Sequence, residues 1–196
     1  MPSHNSYKRK PYSTYPSLHS SVVEHLKPSG LTMAFHPVDT DEAPSRTHVL
    51  KYNTNIMGVF ACYNKSCPSR GWASKMVAVT IRMYRKDGDN HNHSGKGEGR
   101  GKQPGLYNVR VYHQRCKKCT FLSRPKLDES YAERVAYRLK KWHGIEVEQP
   151  VCVQKGKAPH VKRLCEGCKA GVCPNSKRAG DGSDSESVSG RGREPR

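Results

Sequence analysis

Three stretches of the chain alternate apolar and polar residues with the two-residue period of a strand. In "KMVAVTIRMYR" (75–85), Val77, Val79, Ile81 and Met83 share one face, while Ala78, Thr80, Arg82 and Tyr84 share the other, which predicts a half-buried strand. "YNVRVYHQR" (107–115) repeats the device with Tyr107, Val109, Val111 and His113 on one face. The earlier stretch "HVLKYNTNIMGVFAC" predicts another strand, running into the first cysteine. The Gly- and Asn-rich "KDGDNHNHSGKGEGRGKQPG" reads as a long hairpin loop. In "DESYAERVAYRLKKWHG" the period becomes helical, with Tyr131, Val135, Leu139 and Trp142 on one stripe. Ser130 and Glu133 fit a capping box, and Gly144 sits where a glycine ends a helix. A shorter piece, "LHSSVVEHL", spaces Leu18, Val22 and Leu26 like a brief helix and fits a docked helix or an unstructured arm equally.

These elements define an organisation in three parts. Residues 1–46 form a basic arm rich in Ser and Pro, expected to be partly disordered, and 47–174 form the domain. Residues 175–196 contain no large apolar residue except Val188, so that tail is expected to be disordered. Only 34% of the residues are hydrophobic and the mean hydropathy is −0.87. Such a chain cannot build a large core, so something besides apolar burial must hold the ordered part together.

The eight cysteines supply a candidate. No apolar run approaches the ~20 residues of a membrane span. The basic N-terminus is followed by no apolar segment, so secretion is not expected. A cytoplasmic or nuclear location would keep thiols reduced, and clustered cysteines there more often bind metal than form disulfides.

"CYNKSC" and "CKKC" are short cysteine pairs, each at the end of a predicted strand. Such turns put two thiolates on one side of a tight knuckle, close enough to share a tetrahedral ion. A hairpin that brings the knuckles together assigns Cys62, Cys67, Cys116 and Cys119 to one Zn2+. "PHVKRLCEGCKAGVC" offers a second set by itself, His160, Cys165, Cys168 and Cys173, spaced H-x4-C-x2-C-x4-C. Interleaved pairings of the knuckles satisfy the same spacings. Three thiolates and an imidazole form a structural set with no open position for a catalytic water. Cys152 is left over and reads as a small buried hydrophobe. The His91-Asn92-His93 triplet reads as loop composition. A structural zinc contributes an apparent ~10–16 kcal/mol in zinc-finger peptides, comparable to the whole ~5–15 kcal/mol net stability of a domain.

With these motifs in order, the chain resembles the 3CxxC-type zinc-finger proteins, a group that includes the receptor-transporting proteins and many fungal proteins. The resemblance rests on "VFACYNKSCPSRGWASKMVAVTIRMY", "YNVRVYHQRCKKC" and "PHVKRLCEGCKAGVC", covers roughly residues 47–174, and looks closest to the fungal branch in "SYAERVAYRLKKWHG". It implies metal ligands at the same eight positions. The first knuckle departs from the family name, with four residues between its cysteines where two are usual. The tail carries no apolar anchor of the kind found in receptor-transporting members, so escort of a receptor at a membrane is not expected.

The fold class that follows is a small zinc-stabilised α+β domain of antiparallel strands, zinc knuckles and one packed helix. Thirty-five Lys and Arg stand against 17 Asp and Glu, a formal net charge of +18. Two filled centres lower that only to about +15. Such an excess attracts polyanions, whether nucleic acid, an anionic membrane surface or an acidic protein, and binding of RNA or DNA would run largely through phosphates. Arg115, Lys117 and Lys118 lie beside a knuckle, and Tyr84, Tyr107 and Tyr112 are candidates for stacking on bases. The helix stripe of Arg134, Arg138 and Lys141 reads first as a solvated face. The alternative function is an adaptor or chaperone-like factor that holds a protein client. Nothing in the pattern specifies an oligomeric state. No paired carboxylates, phosphate-cradling glycine motif or nucleophile elbow is present, so the chain is not expected to be an enzyme.

Overall fold

The computed structural model describes residues 10–39, 47–86, 105–150 and 160–174. The first nine residues, the His91-Asn92-His93 loop, Cys152 and the 175–196 tail lie outside that set. In chain order the elements are β1 (Tyr12–Ser13), α1 (His19–Leu26), β2 (Met33–Phe35), β3 (Thr47–Ala61), β4 (Gly71–Lys86), β5 (Gly105–Tyr112), β6 (Gln114–Arg115), β7 (Leu122–Ser123), β8 (Pro125–Leu127), α2 (Ser130–Trp142) and α3 (Glu166–Lys169). β3 and β4 form a long antiparallel hairpin, paired from Thr47↔Lys86 to Ala61↔Gly71. β5 pairs antiparallel with β4, and β8 with β3. The main sheet runs β1-β5-β4-β3-β8, with β2 joining β5 in parallel on the edge that β1 also uses. The expected α+β class with mainly antiparallel strands is what forms.

The alternation in β4 and β5 builds the core face. Val77, Val79, Ile81 and Met83 meet Tyr107, Val109 and Val111 there, together with Ile56 and Phe60 of β3. α2 covers this face with Tyr131, Val135 and Leu139. The 18–26 piece is a docked helix: α1 buries Val22 and Leu26 completely against α2 and the sheet. Each fully buried Val or Leu contributes roughly 1.5–3 kcal/mol, which favours docking over a loose arm. Residues 10–39, assigned by the sequence to an arm outside the domain, therefore complete the core with Tyr15, Val22, Leu26 and Met33. Among the described residues two helices, α1 and α2, pack on the core face, where one was expected.

The second face of β4 is also buried. Thr80 is 0%, Arg82 2% and Tyr84 5% exposed, so the half-buried strand expected over 75–85 is covered on both sides. Two pieces cover it. The chain beyond β2 brings in Asp39, whose carboxylate accepts hydrogen bonds from Arg82 Nη1 at 2.8 Å and Arg110 Nη2 at 2.9 Å. At the other end Cys165 and Cys173 pack on Ala78 and Tyr112. Polar residues such as Thr80 and Arg82 imitate a solvent face in the sequence because their partners lie far along the chain.

The ends of α2 form differently from one another. The Ser130–Glu133 capping box does not form; Asp128 Oδ1 instead accepts the Ser130 N–H at 3.0 Å and its hydroxyl at 2.5 Å. The C-terminus closes as expected at Gly144, with Gly144 N bonded to Lys141 O and Ile145 N to Lys140 O.

An irregularity at Lys75–Met76 changes which β4 residues face the core. Ile56 pairs with Val77 but Gly58 pairs with Ser74, so β4 carries one extra residue there. Even positions face the core before this bulge and odd positions after it, which lets Trp72 stack on Phe60 at 5.0 Å. Gln114, 7% exposed, clasps the bulge. Its Oε1 accepts the Trp72 indole N–H at 3.1 Å, and its Nε2 donates to Ser74 Oγ at 3.0 Å and Met76 O at 3.1 Å. Gln114→Leu keeps the volume but strands these groups, at about 1–3 kcal/mol for each one left unpaired. Denaturant unfolding of the zinc-loaded variant should show a loss of about 2–3 kcal/mol; a change below about 0.5 kcal/mol would remove Gln114 from the account.

Candidate metal centres

The β3–β4 turn and the β6–β7 turn each raise two cysteines. In the first, Cys62 N donates to Arg70 O and Cys67 N to Asn64 O. In the second, Cys116 N donates to Phe121 O and Thr120 N to Cys116 O. Thr120 holds φ 58, unusual for a β-branched residue, where the knuckle reverses. The two turns bring Cys62 Sγ within 3.5 Å of Cys119 Sγ and Cys67 Sγ within 3.8 Å of Cys116 Sγ. All four sulfurs lie within 4.8 Å of one another. A tetrahedron with ~2.3 Å Zn–S bonds has edges of about 3.8 Å, so this donor set fits one zinc ion. These separations are far longer than the roughly 2.0 Å of a disulfide.

The second group comes from one short segment. Cys165 precedes the single turn of α3, Cys168 lies within it, and Gly171, at φ 69, reverses the chain so that Cys173 returns. His160 Nε2 is 3.1 Å from Cys168 Sγ and 3.7 Å from Cys173 Sγ, and the four donor atoms again lie within 4.8 Å of one another. This set also fits one zinc ion. The structure thus gathers the eight sequence-assigned donors into the two groups expected, with no interleaving of the knuckles.

The groups are joined to each other and to the sheet. Gln114 pairs with Ser123 on one side and bridges to Cys165 on the other. Glu166 N donates to His113 O at 3.1 Å. Arg115 Nε and Lys169 Nζ donate to Glu166 Oε1 at 2.7 and 2.8 Å, and these two cations hold the Glu166 carboxyl below its ordinary value against the opposing effect of burial. Gly167 lies on β4 so closely that a Cβ there would sit 2.4 Å from the Ala78 methyl. Sequence reasoning passed over Gln114, Glu166 and Gly167. Their only signal was adjacency to cysteines.

Without metal, the thiols compete for protons. Burial pushes Cys62 up to about 12 and raises Cys67. Burial also opposes ionisation of Cys116, yet the Cys119 and Lys118 backbone N–H groups outweigh it and lower that thiol to about 6. The Phe121 backbone N–H lowers Cys119. In the second group a hydrogen bond with Cys173 and burial raise Cys165, and burial takes Cys168 up to about 11.

The comparisons agree with the chemistry of these donors. A family model for a zinc-binding domain, the 3CxxC zinc ribbon, matches residues 55–171. That span is more than half of the chain, and the protein belongs to this family. No curated protein and no solved structure matches it. The matched span holds every grouped donor except Cys173, which lies just past its end. Among the described residues no helix is long and apolar enough to cross a membrane.

Zinc must displace protons from the raised thiols, so acid favours release from both groups. Both groups contain raised thiols, Cys62 and Cys67 in one and Cys165 and Cys168 in the other. Acid titration followed with a zinc indicator should therefore release zinc from both groups as the pH falls. A zinc content that does not change with pH would contradict this.

Proposed function

We propose that each group holds one structural zinc through the eight named donors, and that the protein is a non-catalytic binding module for RNA or DNA. Four protein donors saturate a tetrahedral zinc, which leaves no position for a reacting water. Within the family we place the chain nearest the fungal members, on "SYAERVAYRLKKWHG", and inside the cell.

One observation carries the nucleic-acid reading. Residues 47–86 contain seven Lys and Arg and residues 105–127 contain six, with no Asp or Glu in either segment. These segments build β3, β4, β5, β8 and the first pair of knuckles. Lys65, Arg70, Lys75, Lys117, Lys118 and Lys126 are exposed there. Neither segment contributes a carboxylate of its own to compete with phosphates for those cations. Other basic residues are occupied: Arg138 stacks on the Tyr52 ring at 3.2 Å, and Arg115 is paired with Glu166. The stripe of Arg134, Arg138 and Lys141 is therefore not the binding face in this reading.

A second reading, an adaptor for a protein client like the receptor-transporting relatives, is favoured by exposed Val59 and Tyr63, at 57% and 72%. Two measurements separate them. Affinity for an oligonucleotide should fall steeply with salt, by roughly a thousandfold between about 50 and 200 mM for a footprint of six phosphates. An affinity indifferent to salt, together with partners that survive nuclease treatment, would favour the adaptor.

A further inference from the structure

Tyr84, Tyr107 and Tyr112, the aromatics that the sequence offers for stacking, are 5%, 0% and 4% exposed and are closed to a base. Among the described residues the exposed aromatic is Tyr63, inside the first knuckle, at 72% exposure. It stands beside the partly exposed Phe121 of the second knuckle, with ring centroids 6.5 Å apart in an edge arrangement. Tyr63 follows Cys62, and Lys118 precedes Cys119, whose sulfur lies 3.5 Å from that of Cys62. Exposed Lys65, Lys117 and Lys118 thus rise from the same pair of turns as an exposed ring. These turns fall within the two segments that contain no carboxylate.

We infer that the paired knuckles form a stacking platform for single-stranded nucleic acid, in which an unpaired base lies on Tyr63 and the flanking phosphates meet Lys65, Lys117 and Lys118. An exposed ring presents a face that any unpaired base can cover, and stacked bases need that face together with nearby cations. In a duplex the bases are already stacked on each other, so only the phosphates remain available. A purely apolar client would gain nothing from three lysines around the ring, which sets the charge complementarity on the side of a polyanion. The four-cysteine centre gives the platform its rigidity, because both turns end on its thiols. This inference rests on the nucleic-acid reading above but can fail without it.

The test measures binding of the full zinc-loaded chain to a single-stranded homopolymer of about a dozen nucleotides and to a duplex of equal length. Native mass spectrometry first confirms that each variant retains the wild-type zinc content. Tyr63→Ala should weaken single-strand binding by roughly five- to 150-fold, the equivalent of about 1–3 kcal/mol per stacked base. Tyr63→Phe, which keeps the ring, should bind like wild type, and duplex binding should not respond to either change. Lys117→Gln with Lys118→Gln should lower the salt slope on the single strand by about 1.4, about 0.7 for each lost phosphate contact. If wild type binds the single strand and Tyr63→Ala binds equally well, the platform is overturned and the broader reading stands. If wild type binds neither probe, both fall. Capture of a protein through Tyr63 that persists after nuclease treatment also overturns the platform.

Discussion

Gln114 occupies the place where the sheet, the second knuckle and the His160 cysteine group meet. Its side chain satisfies the β4 bulge, while its backbone pairs with β7 and bridges to Cys165. Two residues further on, Cys116 enters the four-cysteine group, and one residue before it His113 O accepts the Glu166 N–H. The short stretch 113–116 therefore fixes both candidate zinc centres against the sheet at once. A chain with so few hydrophobic residues needs such a junction, because metal binding can stabilise the fold only if the clamps are tied to the elements they are meant to hold.

That junction explains how a long central strand becomes buried on both faces. The helices cover one face with aliphatic residues, as a 2.0-period strand against a 3.6-period helix requires. The other face is covered by the second cysteine group, seated on Ala78 through Gly167, and by Asp39 between Arg82 and Arg110. Removing the zinc from the second group would loosen the cover of that face as well as the clamp. Metal content and sheet packing are one problem in this protein.

Local chemistry was legible in the sequence. The spacing of the cysteines and His160 announced two donor sets, and the alternation in 75–85 and 107–115 announced two strands, although the second ends at Tyr112 and His113, expected on its core face, instead bonds to Ser13 Oγ. What escaped depended on contacts between distant residues. The arm at 1–46 shows no sustained periodicity, yet Tyr15, Val22, Leu26 and Met33 from its described part pack into the core. The bulge in β4 reversed the alternation, so Trp72 could not be placed on the core face by counting in twos. The tyrosines chosen for stacking were those on strands, which are the ones a sheet buries. Tyr63, in a turn, was left for solvent.

The account makes metal the condition for the fold, with the basic knuckle surface following from that fold. The most direct test is native mass spectrometry of the full chain before and after treatment with a strong chelator. The account predicts two zinc ions per chain, lost together with compactness, so that the charge-state distribution moves to that of an extended protein. A metal-free chain that stays compact would contradict it.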